Sequence, residues 1–403
     1  MADDCFPKRF SKLLLSNAGP YRQLPVSSNF ALLKQQEGVG YTNIMVKGTQ
    51  RKNPVSKSAK KSVTIKDLAA DLGLSITTIS RALNGYDDVG EKTRARVFGA
   101  AKKYGYRPNR NAQRLVTQRT RNIAWVQADN DRKFVDPHFV EVMAGVLRGA
   151  RTGNYDILLT SDTSEHQVAV YERYVGDHSV DGFIIDSPQE NDPRIAYLLE
   201  ANKPFVVHGR TKRADQFSWV DVDNKGNFEK LTKLLIANGH RHIAFINGDE
   251  RFTFAAIRHE GVAQALETLG LPPQTVRIYN AAHPMGDAGF QLTSQALNDG
   301  EVSAILYSSS LMAVEGQSAL LRAGRRPGQD IAIATMDDML HYLDLSPYED
   351  LFTFVRSSLR DAGELLVAEL IRRCENEDST PNQTIVPSEF LVAPYMDDTV
   401  LGE

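Results

Sequence analysis

From Asn122 onward, short apolar runs suited to strands alternate with amphipathic helical stretches, and that alternation leaves few folds open. Ile123–Gln127, Ile157–Thr160, Gly182–Ile185 and Phe205–Val207 read as strands, with helices near Phe139–Arg151, Gln167–Asp177 and Arg194–Asn202 between them. Strands joined through helices pair in parallel, which predicts a doubly wound sheet. The pattern restarts at Trp219–Val222 and continues through Ile243–Ile246, Val276–Tyr279, Ala304–Tyr307 and Ile331–Thr335, with helices at Phe228–Asn238, Arg258–Leu269, Gly286–Asn298 and Leu311–Ala323. A second sheet is therefore expected. Phe352–Val355 and the helix Arg360–Arg373 are expected to cross back to the first half, and Glu389–Val392 to the second. Two such lobes enclose a cleft, and ligands bind outside the strand ends.

Ahead of this body lies an all-helical stretch, Val63–Leu115. Ile65, Leu68, Ala69 and Leu72 recur at helical spacing behind an N-capping Thr64. Gly73 supplies a turn, Ser75 caps a second helix, and Ile79, Ala82 and Leu83 give that helix a buried face. The pair forms a helix-turn-helix. Its second helix exposes Ile76, Thr77, Thr78, Ser80 and Arg81, whose polar tips suit base edges and phosphates in a major groove. After Asn84-Gly85, Glu91–Tyr104 makes a third helix, with Val97, Ala100, Ala101 and Tyr104 facing the first two. Pro108 can open a further helix through Arg110, Asn111, Gln113 and Leu115, but barely two turns cannot persist alone in water.

Charge is divided to match. Across 403 residues the net charge is only −3, yet residues 1–121 carry 23 Lys/Arg against 8 Asp/Glu. The remainder carries 24 against 42. A basic module on an acidic body fits nucleic-acid binding confined to one end. Cys5 and Cys374 belong to no metal-like spacing and imply no disulfide framework, which fits a cytoplasmic setting. Residues 1–61 are polar and rich in Ser, Lys and Gln; a disordered basic arm is expected, with Leu13-Leu14-Leu15 too short for an export signal.

VTIKDLA, LSITTISRALNG, EKTR, GYRPN and NAQRL, taken in that order, resemble the LacI/GalR family of bacterial transcription regulators, and GHRHIAFING (Gly239–Gly248) is similar to that family's second-lobe opening. The resemblance covers about residues 62–395. It implies a helix-turn-helix headpiece over 62–107, a hinge helix and linker over 108–121, a two-lobed periplasmic-binding-protein-like core of two doubly wound parallel sheets over 122–395 that binds effector and dimerises, and a tail over 396–403. Met45 stands where a shorter member would begin. The resemblance implies DNA contacts by Thr64, Ser75, Ile76, Thr77, Thr78, Ser80, Arg81, Asn84, Arg110, Asn111 and Gln113, with Leu115 wedged into the minor groove.

Effector positions carry over unevenly. Arg258 matches the family's effector-contacting arginine. Asp337 matches the aspartate of a Gly-Tyr-Asp turn, although Thr335 and Met336 replace the glycine and tyrosine. Ser309 stands where an Asn-Asp region is usual, and Phe139 stands where an aromatic ring stacks on the effector. An arginine fork, a carboxylate and a ring suit a polyol. The expected protein is thus a homodimeric regulator, a repressor by preference, that binds pseudo-palindromic operator DNA under control of a small molecule, with no cofactor. A saccharide is expected; a purine or a phosphorylated intermediate stays open. A solute-binding protein shares the lobes but lacks a headpiece. An enzyme is disfavoured, since no Walker loop, GxGxxG turn or acid–base pair is present and His208, His240, His242 and His259 form no zinc set.

Overall fold

The computed structural model describes residues 63–402 except 84, 107–117, 129–132, 164–165 and 377–379. The expected arm at 1–61, Asn84 and the hinge residues Arg110, Asn111, Gln113 and Leu115 lie outside the described residues.

Three helices, α1 (Ile65–Leu72), α2 (Ile76–Leu83) and α3 (Glu91–Tyr104), surround a small core of Leu68, Ile79, Ala82 and Val97. Thr64 and Asp67 form a reciprocal capping box on α1, and Gly73 ends that helix at φ 64°, a left-handed conformation that most side chains resist. Ser75 Oγ accepts the Thr78 amide at 3.0 Å and so starts α2. Tyr104 remains partly exposed, but its hydroxyl donates to Asp71 at 3.0 Å and ties α3 to α1.

The body comprises two six-stranded sheets. The first has the order β11-β5-β4-β3-β1-β2: β1 (Asn122–Ala128), β2 (Asp156–Asp162), β3 (Gly182–Asp186), β4 (Phe205–His208), β5 (Ser218–Val222) and β11 (Gln383–Val386), all parallel. The second has the order β12-β10-β9-β8-β6-β7: β6 (Ile243–Asn247), β7 (Val276–Asn280), β8 (Ala304–Tyr307), β9 (Ala332–Asp337), β10 (Phe352–Arg356) and β12 (Glu389–Leu391). Only β12 runs antiparallel, against β10. Central strands such as β3 and β6 are buried throughout, as parallel strands with helices on both faces must be.

Two expectations about connectivity need correction. Trp219–Val222 does not open the second sheet; it lies in the first, between β4 and β11. Phe352–Val355 does not cross back but stays beside β9. An apolar run announces a strand, but its sheet is decided by which neighbour its backbone pairs with, and the run itself does not encode that. The crossings fall one element later in each case, at Val222–Asn224, at Arg356–Leu359 and at Val386–Glu389.

Helices α4 (Pro137–Gly153), α5 (Gln167–Gly176) and α6 (Pro193–Glu200) cover the first sheet, together with α11 (Leu359–Glu375), which returns from the second lobe as expected. Helices α7 (Asn224–Ala237), α8 (Thr253–Thr268), α9 (Ala288–Asp299) and α10 (Ser310–Arg322) cover the second. The α4–α11 contact is close enough that a Cβ on Gly145 would collide with the Arg360 carbonyl, and one on Gly363 with that of Val142. One apolar cluster runs through both lobes, from Trp125 and Val146 to Phe228 and Phe245. The stretch expected as a tail docks: Met396 is buried, and Asn238 brackets Asp397, donating to its carbonyl and accepting from its amide.

Candidate nucleic-acid interface and interlobe cavity

On α2, burial of Ile79 and Ala82 forces Ile76, Thr77 and Ser80 toward the opposite side, where Ile76 is 44% exposed. A bulky apolar side chain left in solvent beside hydroxyls is unusual for a helix with no further partner, and suits contact with a thymine methyl or sugar edge. Arg81 is held rather than free. Its Nε donates to Asp88 Oδ1 at 3.0 Å, Nη2 lies 2.7 Å from Oδ2, and the guanidinium sits 4.7 Å over the Tyr86 ring. Both groups of that pair are about half exposed, so the pair can exchange for a phosphate or a guanine edge at small cost. Thr64, Ser75 and Thr78 spend side-chain oxygens on helix starts.

Between the lobes lies a cavity of about 160 Å³, roughly ten times what one water needs. It opens at the strand ends where a doubly wound sheet presents ligand. Phe139, Arg258 and Ser309 are brought together on its walls; Asp337 is not.

Arg258 is buried on α8. Its Nε donates to Asn224 Oδ1 at 2.7 Å and its Nη1 to the Ser308 carbonyl at 2.8 Å, while the Phe228 and Phe254 rings flank it at 5.2 and 5.4 Å. Desolvation lowers its pKa from the ordinary arginine value, against the pull of Asp338 and Asp221. A guanidinium never deprotonates under such conditions, so the site keeps a fixed cation. Ser309 Oγ caps α10 by accepting the Leu311 amide at 3.2 Å. Phe139 packs on Trp125 with centroids 5.0 Å apart, presenting an aromatic wall from the first lobe.

Asp337 requires correction. It ends β9 directly opposite Arg356 on β10, and its carboxylate accepts Arg356 Nε at 2.9 Å and the Met339 amide at 2.9 Å. Cross-strand pairing turns it sideways, away from the cavity. The carboxylate on the wall is that of Asp338. Burial raises the pKa of Asp338, but the hydrogen bond to His138 and the charges of His138 and Arg258 outweigh it and hold the group below the usual carboxylate value.

His138 was not foreseen. Standing at the start of α4, it reaches across the cleft: Nδ1 lies 3.0 Å from Asp136 Oδ1, and Nε2 lies 3.4 Å from Asp338 Oδ2 and 3.2 Å from Ser309 Oγ. Burial lowers its pKa, but these two carboxylates overcome that and lift it to about 10. Alongside it, Glu141 accepts Arg360 at 2.7 Å and the His341 amide at 3.0 Å, a second tie from α4 to the loop after β9. Asp186, His208 and Asp221 also line the cavity, although His208 was read as solvent or core. Asp186, His208 and Asp221 stand at or near the ends of β3, β4 and β5, and a polar residue closing a buried apolar run is the signal that marks them. Desolvation is the main cause that pushes Asp221 up to about 6, against the Arg210 charge. Among the described residues, no cluster of His, Cys, Asp and Glu fits a metal ion, and no helix is long and apolar enough to cross a membrane.

Comparison with known proteins meets this geometry from outside. Residues 64–109 match bacterial regulatory proteins of the lacI family, and residues 120–392 match periplasmic binding proteins and the sugar binding domain of the LacI family. The chain is 37% identical to the HTH-type transcriptional regulator AglR of Rhizobium meliloti (strain 1021), over 82% of this chain and 93% of that protein. It is 32% identical to RafR of Escherichia coli, over 69% and 82%. Among solved structures, the transcriptional regulator CelR in its cellobiose complex superposes with a TM-score of 0.59 at 28% identity, covering 82% of this chain and 98% of that one. The lac repressor dimer bound to operator and the anti-inducer ONPF shares the fold, with a TM-score of 0.67 at 23% identity over 82% and 98%. A helix-turn-helix reader joined to a two-lobed sugar-binding body, matched over nearly its whole described length, makes this chain a member of the LacI family of bacterial transcription regulators.

Proposed function

We propose that this regulator is a cytoplasmic homodimeric repressor whose operator affinity changes when a saccharide binds between its lobes. The observation that carries the reading is the cavity itself, which draws Phe139 and His138 from the first lobe and Arg258, Ser309 and Asp338 from the second. A ligand held from both sides stabilises one lobe arrangement over another, and it shifts DNA binding only through that difference. The cellobiose bound by the related CelR supports a saccharide as the ligand class. Ile76, Thr77, Ser80 and Arg81 on α2 read the bases, with Thr64, Ser75, Thr78 and Asn84 beside them. Arg110, Asn111, Gln113 and Leu115 act as a hinge that orders on DNA. One headpiece reads a half-site, so two related by a two-fold axis read a pseudo-palindrome. Asp338 takes the effector-binding place first given to Asp337, and the cavity binds without chemistry.

The test is to recover the DNA that the full-length protein selects from its own genome, then to titrate it by fluorescence anisotropy across a saccharide panel. Operator affinity that no panel member changes, with specific DNA binding intact, removes the effector half of the reading.

A further inference from the structure

We infer that the ligand of this cavity is an electrically neutral polyhydroxyl compound, an unphosphorylated saccharide, and that sugar phosphates are rejected. The inference rests on the saccharide reading above and narrows it.

The walls carry four carboxylates, Asp136, Asp186, Asp221 and Asp338. Against them stand the cations Arg258 and His138, and the protein has already engaged both. His138 faces a carboxylate with each ring nitrogen, at 3.0 and 3.4 Å, so both nitrogens carry protons and the imidazolium is spanned by two anions. Arg258 spends Nε and Nη1 on Asn224 and Ser308 and lies in the fields of Asp338 and Asp221. Asp221 also takes Arg210 at 3.2 Å. His208, the remaining basic side chain on the wall, acts on the same Asp338.

Binding a phosphate takes either a cation with no other anion to serve or a bare helix N-terminus. The helix starts at this cleft are occupied by the chain's own groups: Asp136 accepts the His138 amide at the start of α4, and Ser309 the Leu311 amide at the start of α10. A phosphate dianion would therefore enter a surplus of negative charge in a poorly solvated space. One like-charge pair about 6 Å apart at an effective dielectric near 20 weakens binding on the order of 100-fold. Neutral hydroxyls meet no such penalty. They can donate to carboxylate oxygens and accept from a guanidinium, while the Trp125, Phe139 and Phe254 rings suit the apolar face of a pyranose.

The experiment is isothermal titration of the full-length protein with matched pairs: glucose and glucose 6-phosphate, maltose and maltose 6-phosphate, cellobiose and cellobiose 6-phosphate, with raffinose and inorganic phosphate added. The expected result is that at least one neutral saccharide binds and its phosphate ester binds at least about 100-fold more weakly. A phosphate ester that binds as tightly as its neutral parent, or inorganic phosphate that displaces the sugar, overturns the inference while leaving a saccharide regulator in place. A panel in which neither form of any sugar binds overturns the saccharide reading, and this inference falls with it.

Discussion

Replacing Arg258 with alanine should uncouple this protein from its effector without disarming it as a DNA binder. The side chain makes two short hydrogen bonds from a buried position, to Asn224 on α7 and to the Ser308 carbonyl after β8. Truncation leaves both acceptors buried without their donor, at about 1–3 kcal/mol each, so Arg258→Ala should lose roughly 2–6 kcal/mol of stability. In a body of this size each kcal/mol lowers Tm by about 2–4 °C. The effector loses a charge-assisted partner worth about 1.5–3 kcal/mol, which raises its half-maximal concentration roughly 10- to 150-fold. Arg258→Lys separates the two effects. It keeps a cation near Asp221 and Asp338 but reaches only one of the two acceptors, so it should fold better than the alanine variant and still bind effector poorly. The assay is operator anisotropy against effector concentration, with thermal unfolding alongside. Folded variants that both respond at the wild-type effector concentration would refute the assignment of Arg258 to the ligand.

Three further outcomes are expected. His138 has its pKa raised from 6.5 to about 10, so the stability it contributes is fully present below pH 6.5 and fades as pH climbs through about 10; the Tm gap between wild type and His138→Gln should shrink across that window, and a gap that stays constant argues against a charged cross-cleft histidine. Arg81→Ala should cost about 1–3 kcal/mol on operator while sparing random DNA, measured by competition anisotropy; full retained discrimination removes Arg81 from the reading face. Gly363→Ala drives a methyl into the Val142 carbonyl where α4 and α11 touch and should destabilise by about 1–3 kcal/mol or more in thermal unfolding; an unchanged Tm means the two helices can separate without loss.

The elements were legible because their signals are local. Thr64 with Asp67 and Ser75 with Thr78 mark helix starts that the structure builds, and the apolar runs mark strands within a residue or two. What the chain does not write locally is partnership. Trp219–Val222 reads as a strand in either sheet, and only pairing with β4 and β11 assigns it to the first. The Asp337-Asp338 pair shows the same limit at the scale of one side chain. Adjacent carboxylates at a strand end point different ways, and the Arg356 directly across decides which of them leaves the cavity. His138 escaped notice because its partners are far along the chain, at Ser309 and Asp338, so no spacing rule joins them.

The return of α11 and β11 to the first lobe has a consequence for how the molecule is made. Strands β1 to β5 leave the ribosome as an unfinished sheet, with the face that α11 covers bare and the edge beside Trp219 unpaired. Nothing in the first 358 residues closes either. The nascent first lobe must wait for the whole second lobe to be synthesised before Leu359–Glu375 and Gln383–Val386 arrive to seal it. During that interval it is a substrate for chaperones rather than a folded unit. A chain stopped by a premature codon anywhere between β5 and α11 should be insoluble, however intact its DNA-reading end.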